Sequence, residues 1–306
     1  MKRAPVLHRL EYAVYWGLKS WVRALPHTAA RSFGAALGGL AHRLDRRHRA
    51  IADANLALAF PSLDAAARRQ LVAACFRHFG AALCDLLSAD RFTPVELCGR
   101  FTYEGWEHLE RAESLGRGVF LLGAHHGNWE ISGRPISFYR GVMHTIARPA
   151  DNPFLERELS QLRQRMGYAV IHKRGAARRM LQVVRDRGRI GILPDQRVQE
   201  REGILVPFFG HPALTTPILA RLSRRANVPV VPVFAYPEPG GRYRMVIRAP
   251  ILPDDGAGGE EAAVAALTRR YLEVIESEIR DHPHMWLWMH RRWTPRARPK
   301  AAAVEA

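Results

Sequence analysis

VFLLGAHHGNWE (residues 119–130) starts as an apolar run and ends in two histidines, a glycine, an asparagine, a tryptophan and a glutamate. A short apolar run closed by glycine predicts a buried strand. Gly127 permits a turn, and Asn128 is placed to cap a helix running toward Tyr139. His125 and Glu130 are five apart, so on one continuous helix they would lie on different faces. The turn removes that conflict: His125 stays on the loop, and Glu130, in the first helical turn, is able to reach back to it.

Outward from this unit the chain keeps alternating. PSLDAAARRQLVAACFRHFGAALCDLL (61–87) carries Asp64 ahead of apolar residues at helical spacing and predicts a long amphipathic helix. After the strand and helix of the opening unit come VMHTIAR as a strand, DNPFLERELSQLRQRMG as a helix, YAVIHK as a strand and GAARRMLQVVRDRG as a helix. RIGILPD is the next strand and ALTTPILARLSRRAN the next helix; VPVVPVFAY and YRMVIRAP are strands, and EEAAVAALTRRYLEVIESEIRDHP closes the series as a helix. This order predicts an α/β fold with a mixed, largely parallel central sheet flanked by helices. Sites in such folds collect at the carboxyl ends of strands. Three polar segments fall there: GAHHGNWE, ARPADNP (147–153) and LPDQR (193–197). Two readings fit them, ordinary polar loops or one cleft shared by His125, Glu130, Arg148 and Asp195.

At 306 residues, 47% hydrophobic and 25% charged, the chain suits one large folded domain with a terminal appendage. The predicted division is an N-terminal membrane-associating helical segment (1–45), a main domain (46–296) and a disordered tail (297–306). Lys and Arg number 46 against 29 Asp and Glu, a formal charge of +17, and such a surface attracts polyanions. A non-catalytic nucleic-acid binder would explain that charge. Yet the sequence has no zinc signature, no helix-turn-helix and no platform of interleaved aromatic and basic residues, so nucleic acid is not the expected partner. A non-catalytic lipid-binding protein would also explain the charge, but it would have no use for His125 and Glu130 together. Residues 5–25 interleave Tyr15, Trp16 and Trp21 with His8, Arg9, Glu11, Lys19 and Arg23. They predict an amphipathic helix, either lying in the interface of an anionic bilayer or packed on its own domain. No uninterrupted span of eighteen or so apolar residues occurs. Cys75, Cys84 and Cys98 stand in unrelated contexts, which predicts packed thiols rather than disulfides or a metal site.

The chemistry follows by elimination. G-x-S-x-G, H-E-x-x-H, the P-loop and the dinucleotide fingerprint are all absent. What remains is a histidine general base, oriented by a carboxylate, that activates a hydroxyl belonging to the substrate.

GAHHGNWE resembles the H-x4-D/E signature of glycerolipid acyltransferases, and in this form it resembles the lipid A late (lauroyl/myristoyl) acyltransferases. NLALAFPSLD (55–64), RPADNPFLE (148–156), QRMGYAVI (164–171), LPDQR, VPFFGHPALTT (206–216) and WMHRRW (288–293) are similar to that family in the same order, from about residue 8 to about residue 295. The resemblance implies transfer of a fatty acyl chain from acyl carrier protein or coenzyme A to a hydroxyl of a membrane lipid, with no cofactor and no metal. A lipid A precursor is the expected acceptor, and relatives acylate other lysolipids, glycolipids or ornithine lipids. By the same resemblance His125 is the base and Glu130 orients it and stabilises its imidazolium. Asn128, Arg148, Arg165, Asp195 and Gln196 are implied substrate-binding residues, the two arginines for acceptor phosphate or the oxyanion. Work on the cytoplasmic face of the bacterial inner membrane is implied too. His126 stands where an aromatic is common and is expected to be a partly exposed loop histidine. VPFFG, Pro217, Ile218 and Leu219 are candidates for the wall of an acyl pocket.

Overall fold

The computed structural model describes residues 5–172, 175–253 and 259–293; the tail expected at 297–306 lies outside the described residues. Four helices come first: α1 (Pro5–Ala24), α2 (His27–Leu44), α3 (Arg46–Ala59) and α4 (Ala65–Ser88). The α/β part then runs α5 (Pro94–Cys98), β1 (Phe101–Glu104), α6 (Trp106–Ser114), β2 (Val119–Leu122), α7 (Trp129–Arg140), β3 (Met143–Ala147), α8 (Pro153–Arg165) and β4 (Tyr168–His172). It continues with α9 (Ala176–Arg185), β5 (Arg189–Ile192), β6 (Ile204–Phe208), β7 (His211–Thr215), α10 (Ile218–Ala226), β8 (Val230–Glu238), β9 (Arg242–Ile247) and α11 (Glu260–Asp281).

The expected sheet is present, with strand order β1-β9-β8-β2-β5-β3-β4. Strands β8, β2, β5, β3 and β4 are parallel to one another, whereas β9 pairs antiparallel with β8 and β1 parallel with β9. Alternation divides the side chains between two cores. Phe120, Leu122, Ile190, Ile192 and Phe234 join α9, α10 and α11 on one face. Val119, Leu121, Val231 and Val233 meet Leu109 of α6 and Ile131 and Ile136 of α7 on the other. Because both faces are covered, the strands read as near-continuous apolar runs.

Two departures from the sequence reading concern local signals. The helix expected from residue 213 starts only at Ile218, because residues 213–215 belong to β7, which pairs antiparallel with β6 in a hairpin. Pro217 disfavours helical backbone at Thr216 and so sets the break. VPFFG is consequently not pocket wall: Val206, Phe208 and Phe209 are core residues, as is Leu219.

The N-terminal helices are packed, not appended. Gly34 and Gly38 of α2 cross α4 at Gly80 and Phe76 so closely that a Cβ at either position would lie 2.3 Å or less from a backbone oxygen. Asp64 caps α4 as expected, accepting from Ala67 N at 2.7 Å. Among the described residues one helical stretch, Ala65–Arg91, is long and apolar enough to cross a membrane, with mean hydropathy 1.4. Half of that window is buried inside the protein, as fits a core helix.

Candidate active site

His125 leaves the carboxyl end of β2, Arg148 follows β3, and Asp195 and Gln196 follow β5, so three neighbouring strands deliver polar groups to one edge of the sheet. His125, Glu130, Arg148 and Gln196 line a single cavity of about 820 Å³. Of the four residues expected to share a cleft, His125, Glu130 and Arg148 line this cavity, and Asp195 contacts it through His125.

The loop carrying His125 is fixed from below. Gly127 has φ +63, and a Cβ there would stand 2.2 Å from the carbonyl oxygen of Ala235, so both backbone strain and space require glycine. Asn128 N donates to Ala235 O at 2.8 Å, Gly127 N to Met285 O at 3.0 Å, and Leu287 N to His125 O at 3.0 Å. His78 supports the turn by donating from Nε2 to Gly127 O at 3.0 Å, a role for a neutral ring, and burial pushes its pKa down to about 4. The segment around Trp286 is itself held by Asn55, whose Nδ2 donates to Trp288 O at 2.8 Å and His290 O at 2.7 Å.

The group that orients His125 is Asp195, a correction to the role expected of Glu130. His125 Nδ1 lies 2.9 Å from Asp195 Oδ1, and the His125 backbone N–H donates to Oδ2 at 2.8 Å. Trp286 Nε1 donates to the same oxygen at 2.8 Å. Asp195 is fully buried and receives three donors, which stabilise its ionised form. Burial alone would raise its pKa, yet His125 and these hydrogen bonds hold it down at about 2. A carboxylate only accepts, so Nδ1 carries a proton, and in the neutral ring the lone pair therefore stands on Nε2. Burial pushes the His125 pKa down, but the Asp195 carboxylate, helped by Glu130, outweighs it and leaves it raised. Trp129 leans over the ring, with centroids 5.3 Å apart.

Glu130 makes its ion pair elsewhere, to Arg163 Nη2 at 3.5 Å. Both line the cavity, so Glu130 acts on His125 through space while Arg163 holds it. Arg163 is the site residue that sequence reasoning missed in favour of Arg165. The two differ by two positions on α8 and therefore point to different faces. Arg165 pairs with Asp90 at 3.0 Å and is not among the residues that line this cavity. Asn128 also moves out of the substrate set: it is buried, and its Nδ2 donates to Asp85 at 2.9 Å. It sits at the N-cap position of α7 without making a capping bond. Asp195 stands behind His125 rather than on the cavity wall. Arg148 is at the rim, 81% exposed and paired with Asp151. His126 is buried, not partly exposed; its Nε2 donates to His282 O at 3.1 Å, and burial pushes its pKa down to about 3. Trp286 had no signal in the sequence, because nothing local to WLWMHRRW indicates which ring reaches residue 195.

The cavity wall is apolar over two stretches. On the α7 face of the sheet it includes Leu121, Gly133, Ile136, Met143 and Val233; beyond the sheet edge it includes Ala176, Ala177, Met180, Ile204, Pro217 and Ile218. An imidazole oriented by a carboxylate, between apolar walls and a rim carrying Arg148, Arg201 and Arg221, is suited to a long-chain substrate bearing anionic groups.

Comparison with known proteins agrees with that chemistry. The model of the bacterial lipid A biosynthesis acyltransferase family matches residues 1–294. The lipid A biosynthesis palmitoleoyltransferase of Escherichia coli (strain K12) is 29% identical over 297 residues, covering 95% of this chain and 94% of that protein. The lauroyltransferase of lipid A biosynthesis from the same organism is 28% identical, covering 96% of each. A phosphatidylinositol mannoside acyltransferase of Mycobacterium tuberculosis (strain ATCC 25618 / H37Rv) is 27% identical over 62% of this chain and 58% of its own length. With nearly its whole length matched, the chain belongs to the bacterial lipid A biosynthesis acyltransferase family and is an acyltransferase.

Proposed function

We propose that this enzyme moves a fatty acyl chain from an acyl thioester to a hydroxyl of a lipid A precursor, with His125 as the general base. The observation that carries this reading is the His125–Asp195 pair, which leaves Nε2 free to accept a proton at the wall of an apolar cavity. The hydroxyl oxygen attacks the thioester carbonyl as its proton passes to Nε2. A C–O bond forms, the C–S bond breaks, and the proton leaves with the thiolate as a thiol. A thioester is already activated, so no acyl-enzyme intermediate is required. The imidazolium formed on the way is stabilised by Asp195 and Glu130. Arg148 at the rim and Gln196 line the cavity, which supports a role for both in binding acceptor or donor. Acyl carrier protein and coenzyme A both meet the chemical requirement for a donor.

The lipid A acceptor is favoured over a mannoside because the relatives aligned over nearly their full length carry lipid A names, whereas the mannoside enzyme aligns over 58% of itself. The test supplies purified protein with acyl carrier protein and coenzyme A thioesters and a panel of acceptors: a lipid A precursor, a lysophospholipid and a phosphatidylinositol mannoside. Mass spectrometry should detect one added acyl chain on the lipid A precursor, at a rate at least about tenfold above the others. Equal or faster transfer to the lysophospholipid would sink the acceptor assignment.

The site reading extends to the inner membrane surface. Val6, Leu10 and Val14, spaced four apart on α1, are 60–76% exposed, and Trp21 is 55% exposed. The opposite side of α1 is packed: Val22 is fully buried, the Tyr12 ring lies tilted against Phe154, and Lys19 pairs with Glu158. Asn152 Nδ2 donates to His8 O and Glu11 Oε2, both at 2.9 Å. These contacts tie α1 to the start of α8, a few residues beyond Arg148 on the cavity rim. An apolar stripe beside the cavity mouth, on a chain of +17 charge, suits docking on an anionic bilayer. Leu10→Glu with Val14→Glu is expected to leave the melting temperature unchanged within ~2 °C, since both positions are exposed. Sedimentation with anionic liposomes should fall several-fold, and raised salt should weaken what remains as the screening length drops below ~8 Å. Undiminished sedimentation of the double variant would remove α1 as the docking face.

A further inference from the structure

We propose that Gly191, in the floor of the slot between the sheet and α7, limits the length of the acyl chain this enzyme transfers. The inference rests on the acyl-transfer reading above and adds to it the residue that selects the chain. Gly191 is the third residue of β5, a strand flanked on both sides, and it stands in register with Leu121 of β2 and Thr145 of β3. Its neighbours Ile190 and Ile192 are buried in the core on the opposite face, so by alternation a side chain at 191 would face α7. Gly191 keeps partial exposure there because the cavity reaches the sheet at this point.

Nothing in the fold asks for glycine at this position. Its φ is not positive. A Cβ built on it would meet nothing closer than Met143 Cε at 3.6 Å and His144 O at 3.8 Å, which are ordinary contacts. The other glycines on this wall differ: a Cβ on Gly133 would lie 2.2 Å from Met143 Cε, and one on Gly123 2.7 Å from Leu193 Cδ2. Glycine inside a strand loses packing and backbone entropy, and a close ligand approach is one reason it stands there. Here the open space belongs to the slot, walled by Leu121, Ile136, Met143 and Val233. His125 is four positions beyond Leu121, so the floor at Gly191 is up to about 13 Å along the strand direction from the base. That depth corresponds to on the order of ten methylenes of an extended chain.

The test is a length profile: wild type, Gly191→Ala and Gly191→Leu are assayed with saturated acyl thioesters of increasing chain length and one acceptor. Gly191→Leu should move the preferred donor shorter by about two to four carbons, with a loss of about fourfold for each methylene no longer buried. Turnover with the shortest donors should stay within about twofold of wild type. Gly191→Ala should give a smaller shift in the same direction, and its Cβ fits without displacement, so it decides the matter if the Leu variant fails to fold. An unchanged profile in a folded Gly191→Leu enzyme, or in Gly191→Ala when the Leu variant does not fold, overturns the proposal. So does a shift produced by Ala177→Leu beyond the sheet edge with none from residue 191, which would put the chain in the other stretch of the cavity. A wild-type series with no transfer from any thioester sinks the acyl-transfer reading itself, and this proposal with it.

Discussion

His125→Ala and Asp195→Asn are each expected to lower kcat by about 10²–10⁴ while leaving the fold intact, the range for loss or mis-setting of a general base. His125→Ala removes the base. Asp195→Asn acts differently: the amide keeps the shape but not the charge, and its NH2 turned toward Nδ1 would favour the tautomer that protonates Nε2. The pH profile separates the two defects. Burial lowers the His125 pKa and Asp195 more than reverses this, so it lies above the ordinary 6.5. Activity needs the neutral ring, and the wild-type acid limb should therefore fall above 6.5. In Asp195→Asn burial is no longer opposed by that charge, and the limb of the residual activity should move to lower pH. An acid limb that stays in place in Asp195→Asn would show that Asp195 does not set the base. The same pair links stability to pH. The raised His125 contributes below its unfolded value and loses this as pH rises through its folded pKa. Asp195, depressed from 3.8 to about 2, contributes above 3.8 and loses this as pH falls toward 2. The ion pair therefore supports the fold in the window between those limits.

What was legible in the sequence was the unit that repeats. VFLLGAHHGNWE gave a strand, a turn requiring Gly127 and a helix, and the further repetitions of apolar run and amphipathic stretch placed strands and helices correctly except at 213–215, where the end of the β6–β7 hairpin reads as the start of a helix. The strand-end segments marked the cavity because strand direction is shared in a parallel sheet. The partner of His125 was not legible in the same way. Glu130 lies five residues away, whereas Asp195 is 70 residues on and arrives only because β5 pairs with β2. Sequence spacing carries no information about which strands become neighbours. The same limit explains Arg163 and Arg165, which occupy one charged helix and are told apart only by the face that α8 turns to the cavity. It explains α2 as well: SFGAALGGLA is too short to span a bilayer, but its glycines find their reason only in the backbone of α4 against which they lie.

Glu130 and Arg163 are expected to behave as a unit. Glu130→Gln should lower kcat by about 10–10² with little change in KM, because the charge is used when the imidazolium forms and not when substrate binds. Its acid limb should also move to lower pH, by less than in Asp195→Asn, since Glu130 raises the His125 pKa less than Asp195 does. Arg163→Met should produce a loss of similar size by freeing Glu130 from its 3.5 Å ion pair. If Arg163 works by holding Glu130, the double variant should be no slower than the slower single variant, within about threefold. Losses that multiply would instead give Arg163 a contact of its own with substrate, through its planar guanidinium, and Arg163→Lys would then fail to restore the rate. Glutamine at 130 with wild-type turnover and an unmoved pH profile would remove Glu130 from the chemistry, leaving Asp195 as the carboxylate on which His125 depends.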